Sequence, residues 1–203
     1  MRITGGEFGG RNLKVPKSDA IRPTQDRVRE AVFNIIQFDI AGSDFLDLFA
    51  GSGAVGLEAL SRGAKSVTFV EQNRRHLAVL NENLKMLTGG VAGGSGCAMQ
   101  NRDSMLTGGA RTTVVAADAY RWIERYSGPG FSIGFADPPY ALGEERGYAQ
   151  VLATLAERGV IREGGLFIAE MTAVQKAEET PGWELVRDRT YGKTRICMWR
   201  RTR

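Results

Sequence analysis

The chain has 203 residues, of which 42% are hydrophobic, so it can bury one substantial core and we expect one main domain. Its net charge of +4 mildly favours an anionic partner without identifying it. No run approaches the ~18 apolar residues of a membrane-spanning helix, and the N-terminus has no apolar signal region, which together predict a cytoplasmic protein. Cys97 and Cys197 have no metal-ligand spacing, so we expect free thiols and no metal.

Basic residues are concentrated at the two ends of the chain, in residues 1–30 and 183–203. Scattered Lys and Arg usually form a solvated surface, but basic arms beside a cleft are also typical of nucleic-acid binding. The N-terminal candidates for such contacts are Arg2, Arg11, Lys14, Arg22 and Arg27.

The first elements are a hairpin and a helix. Residues 2–15 alternate around a glycine-rich turn and stop at Pro16, which predicts a small β-hairpin appendage over residues 1–20. A lone hairpin is marginal in water, so it should pack on the main domain, residues 21–203, or clamp a partner. Thr24 is a candidate N-cap for a helix whose apolar residues form one stripe. Arg27 lies on this helix outside the stripe, where we expect it to contact either a ligand or solvent.

A glycine turn follows a buried strand at residues 45–50. Gly51, Gly53 and Gly56 fit G-x-G-x-x-G with a strand before and a helix after, an arrangement that lets backbone N–H groups approach a ligand. A second strand, 66–70, ends at Glu71, where a carboxylate can accept both hydroxyls of a ribose. The alternative is a purely structural βαβ turn.

Two cofactor classes share this fingerprint. A nicotinamide dehydrogenase needs a hydride-orienting group, and the single histidine, His76, lies on the polar start of the next helix, where we expect a surface residue. Asp47 instead adds a carboxylate beside the turn, which suits the charged amino acid moiety of S-adenosylmethionine.

The middle of the chain contains a glycine-rich stretch, 88–111, that predicts a long flexible loop. A strand resumes at residues 112–116. The next residues, Asp118 and Ala119, begin a helix, and Asp118 is suited to cap that helix, to accept from an adenine amino group, or to do both.

The tetrad Asp137-Pro138-Pro139-Tyr140 ends another buried strand, 131–136. Neither proline has an N–H and both fix φ, so the Asp137 carboxylate and the Pro138 carbonyl could accept hydrogen bonds from one exocyclic amine, with Tyr140 stacked on the ring. The alternative is a simple Asp-Pro turn. After it, a helix, a strand at 165–169 and a terminal hairpin complete a doubly wound sheet.

The pattern resembles the RsmD-type methyltransferases, which modify guanine N2 in bacterial 16S ribosomal RNA. The resemblance covers most of the chain and is carried by residues 1–8 with Arg11, 22–30, 47–53, 58–64, 136–140 and 191–193. It implies a class I S-adenosylmethionine-dependent fold, Rossmann-like, with a mostly parallel seven-stranded sheet, an antiparallel C-terminal hairpin and the N-terminal β-hairpin.

The resemblance also implies roles for individual residues. It places Asp47, Gly51 and Gly53 at the methionine end of the cofactor, Glu71 at the ribose, and Asp118 with Ala119 at the adenine. Residues 137–140 would hold the target guanine. The expected partner is 16S RNA within a small-subunit particle, and we expect a monomer. The glycine-rich stretch 88–111 is longer than the family pattern leads us to expect.

Other functions remain open at this stage. The nearest is a different amino-methyltransferase, acting on adenine N6 in DNA or on a protein glutamine, although glutamine-modifying relatives usually carry Asn where Asp137 stands. A nicotinamide-dependent oxidoreductase or a noncatalytic RNA-binding protein is further away.

Overall fold

The computed structural model describes residues 1–16, 26–87, 102–105, 109–138 and 148–203, with only the backbone described at 102–105. The helices in these ranges are α1 (Asp26–Ile35), α2 (Gln37–Ile40), α3 (Ala54–Ser61), α4 (Arg74–Leu87), α5 (Ala119–Arg125) and α6 (Tyr148–Glu157). The strands are β1 (Asp44–Leu48), β2 (Ser66–Glu71), β3 (Arg102–Met105), β4 (Arg111–Ala116), β5 (Phe131–Ala136), β6 (Ile161–Thr172), β7 (Trp183–Tyr191) and β8 (Thr194–Arg201).

All of these strands belong to one sheet, in the order β3-β4-β2-β1-β5-β6-β8-β7. The five strands β4, β2, β1, β5 and β6 are parallel, and β8 and β7 continue the sheet as an antiparallel hairpin. The chain moves outward from β1 through β2 to β4, then crosses to β5 on the other side of β1. The predicted doubly wound class I fold with a C-terminal hairpin is confirmed, and the strand order reverses between β1 and β5.

The sheet contains one strand more than the sequence predicted. Strand β3 pairs antiparallel with β4 at the sheet edge, inside the stretch 88–111 for which the sequence predicts a loop. Its residues, Arg-Asp-Ser-Met, have low β-propensity and no apolar alternation, so pairing with β4 rather than local preference places them in the sheet.

Successive residues of each central strand point to opposite faces of the sheet, which divides the core in two. Phe45 of β1 packs in a cluster with the N-terminal residues, α1, α3 and α4. Leu46 and Leu48 pack in a second cluster with α5 and α6. We call the side of the sheet that carries the first cluster the arm face, and the side that carries the second cluster the aromatic face. No helix in the described ranges is long and apolar enough to cross a membrane.

Residues 1–16, which we call the arm, pack along α3 and are less regular than the predicted hairpin. Its two halves are joined by one antiparallel bridge, Arg2 to Asn12, and by three backbone hydrogen bonds. In those bonds the N–H groups of Ile3, Gly10 and Leu13 donate to the carbonyls of Arg11, Ile3 and Met1. Most of the arm's remaining bonds go to α3 and α4 or form turns. Ile3, Phe8 and Leu13 are buried in the core of the arm face. The arm therefore shares its core with the main domain.

Candidate active site

The ends of β1, β2 and β5 meet at the point where the strand order reverses, which is where open α/β sheets bind ligands. Leu48 of β1 is in register with Val70 of β2 and with Ala136 of β5. The residues that follow these positions, Glu71 and Asp137, therefore emerge on either side of the glycine turn.

The glycine turn has a backbone that few other residues could adopt. Gly51 and Gly53 have φ of 56° and 81°, and a Cβ on Gly53 would lie 2.2 Å from a methyl carbon of Leu80. Gly53 is also the residue before α3, so the turn directs the N–H groups of the first helical turn to the sheet edge. This is a cradle suited to a bound anion or polar ligand.

Asp47 lies beneath this turn and is 2% exposed. Its Oδ2 accepts a hydrogen bond of 2.8 Å from the N–H of Gly56. Burial raises the pKa of the Asp47 carboxyl to about 7, the Gly56 hydrogen bond opposes that rise, and the charge of Glu71 adds to it. An adjacent ammonium group would stabilise the ionised form, so the carboxyl suits a cationic ligand group.

Glu71 closes the other side of the turn. Its Oε2 accepts from the N–H of Gly51 at 2.8 Å, and its Oε1 accepts from the N–H of Asn73 at 2.7 Å. A carboxylate has about four lone-pair sites, so both oxygens can accept further bonds from ribose hydroxyls. His76, which we expected at the surface, is half-buried, with Nδ1 3.7 Å from Glu71 Oε2.

The residues predicted to contact adenine, Asp118 and Ala119, follow the end of β4. Asp118 is the N-cap of α5, because its Oδ1 accepts from the N–H of Arg121 at 2.9 Å, and Ala119 is buried behind it. Ala119 also lines a narrow cleft with a cavity volume of about 10 Å³ between α5 and α6, together with Phe49, Pro138 and other mostly apolar residues. The capping role predicted for Asp118 is confirmed; its contact with adenine stays a prediction.

Asp137 and Pro138 leave β5 beside this cleft. Pro138 is buried and lines the cleft, whereas Asp137 is partly exposed. Pro139 and Tyr140 lie outside the described residues, so stacking by Tyr140 stays a prediction. Tyr148 of α6 packs next to this strand end and donates from its hydroxyl to the carbonyl of Glu170 at 2.9 Å. Burial first, and the charge of Asp137 second, hold the pKa of Tyr148 well above its usual value.

Sequence reasoning missed Phe49, between β1 and the glycine turn. It has φ of 60°, a strained conformation for a bulky residue, and its ring meets Tyr120 edge to face at 5.2 Å. Its position in the cleft next to Pro138 makes it a candidate for ligand contact. A phenylalanine after a buried strand looks like an ordinary core residue, so its identity gave no signal.

The predicted nucleic-acid contacts are spread along the arm face. Lys14 is exposed near the glycine turn, and its ammonium pairs with Glu82 at 2.8 Å. Arg2 is exposed, and Arg11 is exposed closer to the arm's turn, with its guanidinium 5.0 Å from the ring centre of Phe8. Arg27 is exposed on α1, and Arg22 lies outside the described residues.

The metal and thiol predictions can be compared with the structure only in the ranges that it describes. In the described ranges, no three His, Cys, Asp or Glu side chains are grouped to hold a metal ion. Cys197 is a free, buried thiol, and Cys97 lies outside those ranges.

The reversal of strand order, with acidic groups in the last residues of β1 and β2 flanking a glycine turn, is the arrangement that class I S-adenosylmethionine-dependent methyltransferases use. Solved structures support this class. The Escherichia coli protein yhhF superposes with a TM-score of 0.78 at 32% identity, covering 100% of this chain and 98% of that one. A methyltransferase solved with S-adenosylhomocysteine has a TM-score of 0.63 at 17% identity, covering 89% of this chain and 50% of that one, which shows the fold alone.

The chain belongs to the family described as conserved hypothetical protein 95, whose model matches residues 1–200. Among its relatives is the ribosomal RNA small subunit methyltransferase D of Escherichia coli strain K12. The two are 33% identical over 202 residues, which is 99% of this chain and 90% of the relative. The resemblance to RsmD-type methyltransferases is confirmed, and the protein is a methyltransferase that uses S-adenosylmethionine.

Proposed function

We propose that the protein methylates the exocyclic N2 amine of a guanine in 16S ribosomal RNA, presented within a small-subunit particle in the cytoplasm. The observation that carries this proposal is the position of Asp137 and Pro138, which follow the β5 residue in register with the last residue of β1. Acceptors for an amine are thereby held next to the glycine turn that serves the cofactor.

The cofactor fits the groups that surround it. S-adenosylmethionine supplies a methyl group on a positively charged sulfur. We assign its amino acid end to Asp47 and the glycine turn, its ribose to Glu71, and its adenine to Asp118 and Ala119. Each of these groups lies at the end of one of three adjacent strands, β1, β2 and β4.

The target amine needs activation because its lone pair is delocalised into the guanine ring. Hydrogen bonds from its two N–H groups to the Asp137 carboxylate and the Pro138 carbonyl localise that lone pair and direct it at the methyl carbon. With the cofactor bound, the new N–C bond would form as the C–S bond of the methyl group breaks and that bond's electron pair stays on sulfur, and the nitrogen would then release one proton to water. Orientation of this kind can contribute about 7–11 kcal/mol.

The base must leave its stack to reach the cleft, and an aromatic surface compensates for part of the lost stacking. Tyr140 takes that role in the proposal, with Phe49 and Pro138 forming the apolar wall of the cleft. The positively charged arm contacts phosphates around the target.

Asp137→Ala tests the proposal. We expect methyl transfer from tritiated cofactor to ribosomal RNA to fall on the order of 10²- to 10³-fold, as when one positioned polar group is removed from an active site. Affinity for S-adenosylhomocysteine should change less than about threefold, since the cofactor contacts are on other strands. Asp39→Ala, on α2 and partly exposed, is the matched control and should leave transfer unchanged.

The product identifies the acceptor. Nuclease digestion and mass spectrometry of RNA methylated by the wild-type protein should show N2-methylguanosine. Near-normal turnover of Asp137→Ala, or methyl groups found on adenine N6, would contradict the proposal.

A further inference from the structure

Asn83 of α4 is a completely buried amide that joins the arm to the glycine turn. Its Oδ1 accepts from the backbone N–H of Lys14 at 2.8 Å. Its Nδ2 donates to the backbone carbonyl of Lys14 at 3.0 Å and to the carbonyl of Ser52 at 2.9 Å. Ser52 stands between Gly51 and Gly53, so one side chain bonds to both segments.

The chemistry of this position is specific to a carboxamide. Asn83 uses both of its N–H donors and one acceptor site, and a buried amide without such partners would be costly. An aspartate would keep the acceptor for Lys14 but would place a carboxylate against two carbonyl oxygens. A leucine would fill the same volume and leave three backbone groups without a partner.

The glycine turn is held by three such contacts. Glu71 accepts from Gly51, Asp47 accepts from Gly56, and Asn83 donates to the Ser52 carbonyl. The first two contacts come from the carboxylates of Glu71 and Asp47, to which we also assign contacts with the cofactor. The third comes from a helix that also holds the arm.

We propose that Asn83 is a positioning residue that fixes the conformation of the glycine turn and makes the arm and the cofactor site interdependent. When the cofactor orders the turn, it stabilises the hydrogen bond from Asn83 to the Ser52 carbonyl. Asn83 in turn stabilises the backbone of Lys14. Linkage makes the effect reciprocal, so a partner that orders the arm raises affinity for the cofactor. The part of this inference that concerns RNA rests on the proposed function, whereas the cofactor part does not.

The experiment measures S-adenosylhomocysteine binding to the full-length protein by calorimetry, in Asn83→Leu, Asn83→Asp and a matched control. The control is Asn81→Leu, because Asn81 lies on the same helix and donates to the carbonyl of Leu77 within that helix. We expect affinity to fall at least about tenfold in both Asn83 variants and to stay within about twofold in the control.

A second measurement detects the coupling itself. In the wild-type protein, S-adenosylhomocysteine should slow hydrogen exchange of the Lys14 amide several-fold, although no cofactor contact is assigned to Lys14. In Asn83→Asp the amide can still donate to the carboxylate, but the response to S-adenosylhomocysteine should be lost with the bond to Ser52. A residue that only stabilised the fold would not produce this ligand-dependent difference.

Wild-type affinity in both folded Asn83 variants would overturn the positioning role. If Asn83→Leu fails to fold, Asn83→Asp and the wild-type exchange measurement decide, and a Lys14 amide that does not respond to S-adenosylhomocysteine overturns the coupling. If the wild-type protein shows the coupling between S-adenosylhomocysteine and the Lys14 amide but does not methylate ribosomal RNA, that result would count against the proposed function alone.

Discussion

The two faces of the sheet are held together by different interactions. On the arm face, buried polar side chains bond across elements: Glu58 of α3 is completely buried and binds Thr4, Arg29 and Arg62. On the aromatic face, α5 and α6 pack through rings and aliphatic groups, with Trp199 stacked near Tyr148 at 6.2 Å. The cofactor turn is attached to the first face and the target cleft to the second.

This difference has a physical consequence. Hydrogen bonds and ion pairs in a buried site are directional, so they hold one geometry and are costly to break one partner at a time. Apolar packing is less directional and tolerates changes that conserve volume. We therefore expect single polar substitutions to be severe on the arm face and mild on the aromatic face.

The largest effect should follow Glu58→Ala. Removing this carboxylate leaves Arg29 buried without its acceptor on α3 and frees the backbone of Thr4, so the free energy of unfolding should fall by about 3–5 kcal/mol. Urea titration measures the change. Tyr148→Phe is the comparison on the other face, where loss of one hydroxyl bond should cost about 0.5–1.5 kcal/mol. Equal losses in the two variants would remove the distinction between the faces.

Asp47→Asn should separate stability from binding. The Asn carbonyl can still accept from Gly56, and a neutral group is less costly to bury, so the melting temperature at pH 8 should stay the same or rise. Affinity for S-adenosylhomocysteine should fall about 10- to 100-fold, the size of a hydrogen bond to a charged group. Unchanged affinity would show that Asp47 serves only to accept the hydrogen bond from the N–H of Gly56.

The pH dependence of binding gives a further test of Asp47. A carboxyl with its pKa raised to about 7 holds its proton more tightly in the folded protein than in the unfolded chain. Its contribution to stability therefore declines as pH rises from about 4 to about 7 and is constant above that range. Cofactor binding shows the opposite trend, because an ammonium group needs the ionised form.

We expect affinity for S-adenosylhomocysteine to fall by up to about tenfold per unit as pH drops below 7. The slope should be absent in Asp47→Asn, whose amide does not titrate. A slope that persists in that variant would assign the titration to a group other than Asp47.

The fold was predictable from the sequence because its signals are local. Buried strands alternate with helices, a glycine turn follows β1, and acidic residues stand at the ends of strands. The acidic residues of the cofactor site could be found for the same reason, since each lies at or just after the carboxyl end of a strand. Strand β3 and the roles of Asn83 and Glu58 could not be predicted. Their partners are far apart in sequence, as with Asn83 and Lys14, and nothing in either segment alone indicates the contact.

The smallest expected effect concerns the docking of RNA on the arm face. Lys14 lies near the cofactor turn, and each Lys that neutralises a phosphate contributes about one unit to the slope of log affinity against log salt. Lys14→Ala should therefore lower the slope by about one and weaken binding a few-fold. Arg125→Ala, in the last turn of α5 on the aromatic face, removes the same charge at a site remote from the arm and should change neither.

The ion pair between Lys14 and Glu82 makes the prediction sharper. Both side chains are exposed, so the pair adds little to stability and its acid competes with phosphate for the same ammonium. Glu82→Gln should consequently strengthen RNA binding a few-fold in a filter-binding assay, and should have no effect once Lys14 is already alanine. Because the two substitutions change affinity in opposite directions through one ammonium group, equal binding by Glu82→Gln and the wild type would place the phosphate contact elsewhere than Lys14.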